Sequence, residues 1–124
     1  MPDQDFSIRS KIWIVDSRGQ VVFGLGRLRM LEAVQRSGSI QAAAAELKMS
    51  YRAVWGRIKA TEERLGQPLL VRNIGGAAGG GSRLTPFAES LVGRFQQLHR
   101  EVADDADCRF VRHFSDRLTQ PVAP

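Results

Sequence analysis

The spacing of apolar residues changes along the chain, and each change predicts a new kind of element. Residues 8–23 contain two β-prone stretches around turn-forming residues at 16–19, which predicts a β-hairpin. Residues 27–65 have apolar positions three or four apart, the period of amphipathic helices. Short β-prone stretches around a glycine run follow at 68–85, and the helical period returns at 86–118. The pattern therefore predicts a mainly helical, α+β protein.

The first helical stretch divides into three helices at two short breaks. Gly38 suits the left-handed position that ends the first helix, and Ser39 can cap a short second helix at Ile40–Leu47. Ser50 can cap the third helix, which is predicted at Tyr51–Leu65. A short helix and a tight connection that brace the next helix at a steep angle form a helix-turn-helix.

The third predicted helix has an apolar inner face and an outer face of unusual composition. The outer face contains Arg52, Trp55, Gly56 and Lys59. Because a solvated face seldom needs a tryptophan, we expect this face to contact a partner. Arg52 could form a bidentate pair with guanine. The alternative is a solvated face that happens to carry a tryptophan.

Residues 68–85 predict a wing beside the helix-turn-helix. It comprises a strand at Pro68–Arg72, a flexible glycine-rich loop at Gly75–Ser82 and a short strand at Arg83–Leu84. A phosphate-binding loop of nucleotide enzymes would need a Gly-Lys-Ser/Thr ending and a helix directly after it. Because both are missing from this stretch, we exclude nucleotide binding there.

The last helical stretch is expected to begin with Thr85 as its cap and Pro86 as its first residue. A break is expected around residues 104–107, beyond which apolar positions continue to Leu118. The apolar seam exceeds what a small core can cover, so we predict a dimerisation helix. The residues of this seam are spaced 4, 4, 3 and 4 apart: Phe87, Leu91, Phe95, Leu98 and Val102.

Charge is concentrated in the middle of the chain. The net charge is +5, and residues 24–83 hold ten basic and four acidic residues against eight and nine in the remainder. A basic segment in a nearly neutral frame would attract a phosphate backbone, but it is equally compatible with a solvated surface that is merely basic. The 124 residues are expected to form one domain, 1–124.

Several classes of function are excluded by what the sequence lacks. The one cysteine cannot form an internal disulfide, the start does not resemble a signal peptide, and no apolar stretch could span a bilayer. We therefore expect a cytoplasmic protein without membrane contact. Cys108, His99 and His113 have no zinc-site spacing, and no catalytic set stands out, so we predict neither an enzyme nor a metal site.

Five motifs occur together within residues 38–85: Gly38-Ser39-Ile40, Ala42-Ala43-Ala44, Met49-Ser50-Tyr51, Ala53-Val54-Trp55, and Gly75–Gly81 followed by Leu84-Thr85. Together they resemble the DNA-binding domain of ModE, the molybdate-responsive transcriptional regulator, which is akin to that of LysR-type regulators. The resemblance covers residues 12–106 and implies a winged helix-turn-helix that forms a homodimer and binds a palindromic operator. It also implies control of molybdate-transport or molybdoenzyme genes.

The candidate DNA contacts combine the outer face of the third helix with its surroundings. In the family that the chain resembles, the start of the second helix contacts the DNA backbone. The resemblance therefore implies such a role for Ser39 and Gln41. Ser50 could contact a phosphate, serve only as a cap, or do both. The complete set is Ser39, Gln41, Ser50, Tyr51, Arg52, Trp55, Gly56, Lys59, Arg72 and Arg83.

The effector and the function each keep an alternative. ModE proteins carry C-terminal molybdate-binding domains, whereas this sequence ends at Pro124, so no such domain and no cofactor is expected here. Molybdate stays open as an effector. A winged-helix module for protein interaction, or a small oxyanion-binding protein with a basic pocket at a dimer interface, are the alternative functions.

Overall fold

Two antiparallel hairpins and four helices make up the described chain, residues 6–73 and 80–114 of the computed structural model. The predicted loop residues Gly75–Gly79 and Leu118 lie outside these ranges. This is the mainly helical α+β arrangement that the sequence predicts. The elements are β1 (Trp13–Val15), β2 (Val21–Gly24), α1 (Leu25–Ser37), α2 (Ile40–Leu47), α3 (Tyr51–Leu65), β3 (Leu70–Asn73), β4 (Gly81–Leu84) and α4 (Pro86–Phe114).

The first hairpin is shorter than predicted. Pairing runs from Trp13 opposite Gly24 to Val15 opposite Val21, so the prediction of a strand from residue 8 was wrong. A strand needs a partner for its backbone groups. Because α1 begins directly after Gly24, β2 offers no partner to the residues before Trp13. The turn is held by Asp16, whose Oδ1 accepts from two backbone amides.

The breaks between the three helices follow the predicted signals. Gly38 ends α1 in the left-handed region at φ 88°, and the Ser39 hydroxyl caps α2 by accepting from the Ala42 amide at 3.0 Å. The Ser50 hydroxyl caps α3 in the same way, at 3.0 Å from the Ala53 amide. Helix α1 begins two residues before the predicted position, because Leu25 packs against the core.

The core lies where α1, α2 and α3 meet the two hairpins. Ala43 and Ala44 of α2 are buried, so this short helix approaches its neighbours closely. The predicted inner face of α3 is confirmed, since Val54, Ile58 and Thr61 are all buried. Phe23 meets the ring of Phe95 edge-on, with 5.2 Å between centroids.

Helix α4 is continuous from Pro86 to Phe114, so the predicted break around residues 104–107 was wrong. Aspartates weaken a helix interior, but Asp105 here receives a hydrogen bond from Arg109 one turn later, at 2.8 Å. Thr85 caps the helix as predicted, accepting from the Ala88 amide. Of the predicted seam, Phe95 is buried and Leu98 is exposed.

The described chain comprises two compact units. One contains residues 12–95, and the other contains residues 6–11 and 96–114. In the second unit, Leu98, Val111 and Phe114 are exposed apolar side chains. Among the helices of the described ranges, none combines the length and apolar character that crossing a bilayer requires.

Candidate nucleic-acid interface

The wing hairpin has two faces, and its register decides which basic side chain lies on each. Arg72 pairs with Ser82, and Val71 pairs with Arg83. Residues directly opposite in an antiparallel pair share a face of the sheet. Arg72 therefore lies on one face of the wing with Ser82, while Arg83 lies on the other.

The face of the wing that carries Arg72 lines a groove of about 680 Å³. The opposite wall is formed by the first residues of α2 and α3 and by the turn before α2. Because helix starts present backbone N–H groups and the positive end of the dipole, this wall suits an anion. The lining residues are Gly38, Ser39, Ile40, Gln41, Tyr51, Arg72, Asn73, Gly80, Gly81 and Ser82.

A smaller groove of about 110 Å³ extends this surface along α3. Trp55 and Lys59 line it together with Arg72 and Ser82, which also belong to the larger groove. Tyr51 and Trp55 are exposed by 47% and 42%, which is high for aromatic side chains. The structure thus joins six predicted residues in one surface: Ser39, Gln41, Tyr51, Trp55, Lys59 and Arg72.

Both predicted serines act as helix caps. A hydroxyl that accepts a cap hydrogen bond still has a proton to donate. Ser39 lines the larger groove, so its proton can be directed to a ligand oxygen there. Ser50 caps α3 just before Tyr51 and is exposed. The cap role is established for both residues.

Lys59 is held in place by its neighbours on α3. Its ammonium lies 5.7 Å from the centre of the Trp55 ring and 3.1 Å from Oε1 of Glu62. Oε2 of Glu62 accepts from the Leu69 amide at 2.7 Å, which fixes that carboxylate. The positive charge of Lys59 is therefore partly balanced within the chain.

Four of the ten predicted residues line neither groove: the cap residue Ser50, Arg52, Gly56 and Arg83. Arg83 lines another depression of about 420 Å³ together with Glu89, and this depression meets the larger groove at Gly38, Asn73 and Ser82. Nη1 of Arg83 donates to Oδ1 of Asn73 at 2.7 Å. Arg52 and Gly56 are exposed on the outer face of α3 and line neither groove. A Cβ added at Gly56 would meet nothing within 4 Å.

Ser82 anchors the wing, although it was not among the predicted site residues. Its amide donates to the carbonyl of Gly38 at 2.8 Å, so β4 is bonded to the turn between α1 and α2. The signal was available in the alternation of strand residues, because Ser82 shares a face with the buried Leu84 two residues on. The prediction instead placed Ser82 at the end of the flexible glycine-rich loop.

The chemistry of this surface is that of binding. The surface offers hydroxyls, a guanidinium and an ammonium, which are groups that contact phosphates. It also offers two aromatic rings, which can pack against flat groups. Within residues 6–73 and 80–114, no three His, Cys, Asp or Glu side chains come together in a way that could hold a metal ion.

Comparison with known proteins identifies the fold and the family. The chain is 36% identical over 94 residues to the molybdenum transport protein ModE of Azotobacter vinelandii, and 42% over 74 residues to the transcriptional regulator ModE of Haemophilus influenzae. These matches cover 76% and 60% of this chain but only 33% and 29% of the relatives. The chain thus spans about a third of the length of these proteins.

A solved structure of the CbnR DNA-binding domain in complex with DNA has the same fold. Its TM-score is 0.57 at 23% identity, and the match covers 71% of this chain and 95% of that one. The predicted winged helix-turn-helix fold is therefore confirmed. The family described as bacterial regulatory helix-turn-helix proteins of the lysR family matches residues 25–89, which is more than half of the chain. The chain therefore belongs to the LysR family of bacterial helix-turn-helix regulators, a family of DNA-binding transcriptional regulators and not of enzymes.

Proposed function

We propose that this chain is a single DNA-binding domain that recognises a specific operator, with α3 in the major groove and the wing along the adjoining backbone. The observation that carries the proposal is the continuous surface from Ser39 through Tyr51 and Trp55 to Arg72. It combines two helix starts with a basic strand on one side of the protein. DNA backbone contacts come from such groups in helix-turn-helix proteins.

The larger groove is proposed to receive the DNA backbone. Ser39, Gln41 and Tyr51 offer polar groups from the helix starts, and Arg72 offers a guanidinium from the wing. Contacts of this kind fix the register of a protein on the duplex without distinguishing bases. We therefore expect Arg72→Ala to weaken all DNA binding by a similar factor, whatever the sequence.

Base recognition is proposed for the outer face of α3. Arg52 is the second residue of α3 and is exposed, so its side chain is available beyond the grooves. The first residues of a recognition helix are those that contact base edges. A bidentate pair of Arg52 with guanine is expected to discriminate by about 1–3 kcal/mol.

A homodimer on a palindromic operator is the proposed assembly. Leu98, Val111 and Phe114 leave apolar surface exposed on α4, and β1 exposes Trp13–Val15. Burying exposed apolar surface against a second copy is favourable, and a two-fold dimer matches a palindrome. Such a regulator would act in the cytoplasm, where bacterial DNA lies.

Genes of molybdate transport or molybdoenzymes are the proposed targets. The support is the name of a relative, the molybdenum transport protein ModE, at 36% identity. The experiment is selection of random DNA by the purified chain, followed by a search of genomic fragments with the enriched site. We expect a palindrome that recurs upstream of molybdenum-related genes.

One pair of variants sharpens this test. Arg52→Ala is expected to lower operator affinity about tenfold or more and to relax the preference at one base position. Arg94→Ala removes an exposed arginine of α4 outside both grooves and should leave affinity unchanged. Equal effects of the two variants would contradict the assignment of α3 as the reading helix.

A protein-interaction module is the second candidate, favoured by the same apolar residues of α4. It predicts no enriched DNA sequence and an α4 that binds a different protein instead of a second copy. Sedimentation of the isolated chain separates the two, because an operator-binding dimer should form without another component.

A further inference from the structure

Three arginines surround Thr61 at the contact of α1 with α3. Arg57 and Arg64 lie four residues before and three residues after Thr61, so both share its face of α3. Arg27 of α1 donates through Nε to the hydroxyl of Thr61 at 2.8 Å, and that hydroxyl donates to the carbonyl of Arg57 at 2.9 Å. Arg64 donates through Nη1 to the carbonyl of Val21 at 2.5 Å. Thr61 is 1% exposed, so the cluster is fixed to the core of the protein.

These hydrogen bonds join the arginines to a hydroxyl and to backbone carbonyls, and none of them involves a carboxylate. The cluster therefore concentrates positive charge. Burial lowers the pKa of Arg27, and the Arg64 and Arg57 guanidiniums lower it further. Arg27 also lies in the first turn of α1, which has no acidic residue and no side-chain cap. Because the helix dipole is positive at this end, Arg27 adds a like charge to it.

A merely solvated basic surface does not account for this arrangement. Elsewhere in the described chain, Arg36 and Arg109 pair with carboxylates, while Arg83 and Arg100 bond to exposed side-chain amides and not to groups of the core. Arg27 and Arg64 instead bond to a neutral hydroxyl and a carbonyl. A guanidinium has five N–H donors, so each of the two keeps further donors for an anion.

The cluster is separate from the surface proposed to bind the operator. Arg57 is two residues from both Trp55 and Lys59, which places it on the opposite side of α3. None of the three arginines lines the grooves beside the wing.

We propose that Arg27, Arg57 and Arg64 form a second anion site, which binds a phosphate group. Guanidiniums match the planar, multidentate geometry of phosphate oxygens, and an anion would relieve the repulsion between the three charges. The phosphate belongs either to DNA that extends past the operator contacts or to a small phosphorylated molecule. The chemistry of the site is the same for both sources.

Free phosphate is tested first, without DNA. The melting temperature is measured in sodium phosphate and in sodium chloride of equal ionic strength. We expect phosphate to stabilise the unaltered chain more than chloride does, and the Arg57→Gln/Arg64→Gln variant to lose that difference. The control, Arg29→Gln/Arg94→Gln, removes two other exposed arginines and should keep it.

The DNA backbone is tested through the salt dependence of affinity for a long duplex of random sequence. Each phosphate neutralised contributes about 0.9 to the slope of log affinity against log salt. If the cluster binds the backbone, Arg57→Gln/Arg64→Gln lowers that slope by about 0.9, and the control variant does not. A lost melting difference supports the site, and a lowered slope assigns its phosphate to DNA. A lost melting difference with an unchanged slope assigns the phosphate to a small phosphorylated molecule.

The proposal is overturned if the double variant matches the control in both experiments. Should the double variant fail to fold, Arg57→Gln alone gives the same readouts, because its side chain is exposed. The phosphate melting experiment involves neither the operator nor Arg52. Its failure would therefore leave the proposed operator binding untouched. Failure of the operator selection would likewise leave the phosphate site untouched.

Discussion

The backbone amide of Ser82 donates to the carbonyl of Gly38 at 2.8 Å, which bonds the wing directly to the turn of the helix-turn-helix. The two residues lie in different elements, 44 positions apart in the sequence. Gly38 immediately precedes the cap of α2, so this single bond sets the distance between the wing and the start of that helix. The width of the proposed backbone groove depends on it.

Gly81 is the residue through which this bond can be tested. A Cβ at Gly81 would lie 2.6 Å from the carbonyl oxygen of Gly38, far inside contact distance. Gly81→Ala must therefore push β4 away from the turn. We expect DNA affinity to fall about tenfold, and the free energy of unfolding to fall by about 1 kcal/mol from the weakened hydrogen bond.

Gly80→Ala is the matched control for this prediction. A Cβ there would meet only Nη1 of Arg72, at 3.9 Å, so the same substitution one residue earlier fits without movement. Fluorescence anisotropy with labelled operator and thermal melting measure both properties. If Gly80→Ala reduced affinity as much as Gly81→Ala, an added methyl group in the groove, and not the Gly38 contact, would explain the loss.

Gly56 gives a second prediction. A glycine inside a helix lowers its stability, and the described residues around Gly56 do not require a glycine there. A Cβ there would meet nothing within 4 Å. Alanine should raise the free energy of unfolding by about 0.5–1 kcal/mol through helix propensity. If DNA approaches α3 closely at this position, Gly56→Ala should bind operator several-fold more weakly although it is more stable.

Gly93 of α4 provides the comparison, since it is also helical, exposed and open around its Cα. Gly93→Ala should be stabilised to a similar extent with unchanged operator affinity. Chemical denaturation gives the stabilities and a binding titration gives the affinities. Unchanged affinity in Gly56→Ala would remove Gly56 from the proposed contact surface.

Local signals explain which parts of this fold the sequence predicts. The bounds of α2 and α3 follow from Ser39 and Ser50, whose caps involve only neighbouring residues. The first hairpin was predicted too long because strand length depends on a partner strand, and Val21–Gly24 is short. The break in α4 was predicted from aspartates alone, without the Asp105–Arg109 hydrogen bond.

The candidate site likewise contains residues that local signals place and residues that only strand pairing places. Residues at helix starts, such as Ser39 and Tyr51, were predicted together, and the structure places them in one groove. Arg72 and Arg83 were treated as equivalent because both flank the glycine run. Strand register separates them onto opposite faces of the wing, and register depends on pairing across the loop.

Ser39 allows the cap and the phosphate contact to be separated. Asp and Asn both cap helices about as well as Ser, but only Asp adds a negative charge. Because Ser39 lines the proposed backbone groove, Ser39→Asp should retain stability and lose about tenfold or more in DNA affinity by repulsion. Ser39→Asn should retain the stability and lose less affinity.

Melting temperature and affinity at several salt concentrations measure this third prediction. The difference between Ser39→Asp and Ser39→Asn should shrink as salt rises, because screening weakens charge repulsion. A salt-independent difference between the two variants would argue for a steric effect at the cap and against a nearby phosphate.

Glu62 restrains Lys59, and removing its charge should strengthen DNA binding. Glu62→Gln keeps an acceptor for the Leu69 amide but loses the ion pair with Lys59, which is 3.1 Å long. A released Lys59 can reach a phosphate, so affinity should rise several-fold and the salt slope should steepen by about 0.9. The free energy of unfolding should fall by about 1 kcal/mol, because a charged acceptor becomes neutral.

Glu63→Gln distinguishes release of Lys59 from the simple loss of a negative charge. Glu63 is exposed on the same helix, and its substitution changes the net charge equally. We expect a smaller gain in affinity and an unchanged slope for Glu63→Gln, because Lys59 stays paired with Glu62. Equal slopes for the two variants in titrations across a salt series would mean that releasing Lys59 adds no phosphate contact, whereas a steeper slope in Glu62→Gln alone places its ammonium at the backbone.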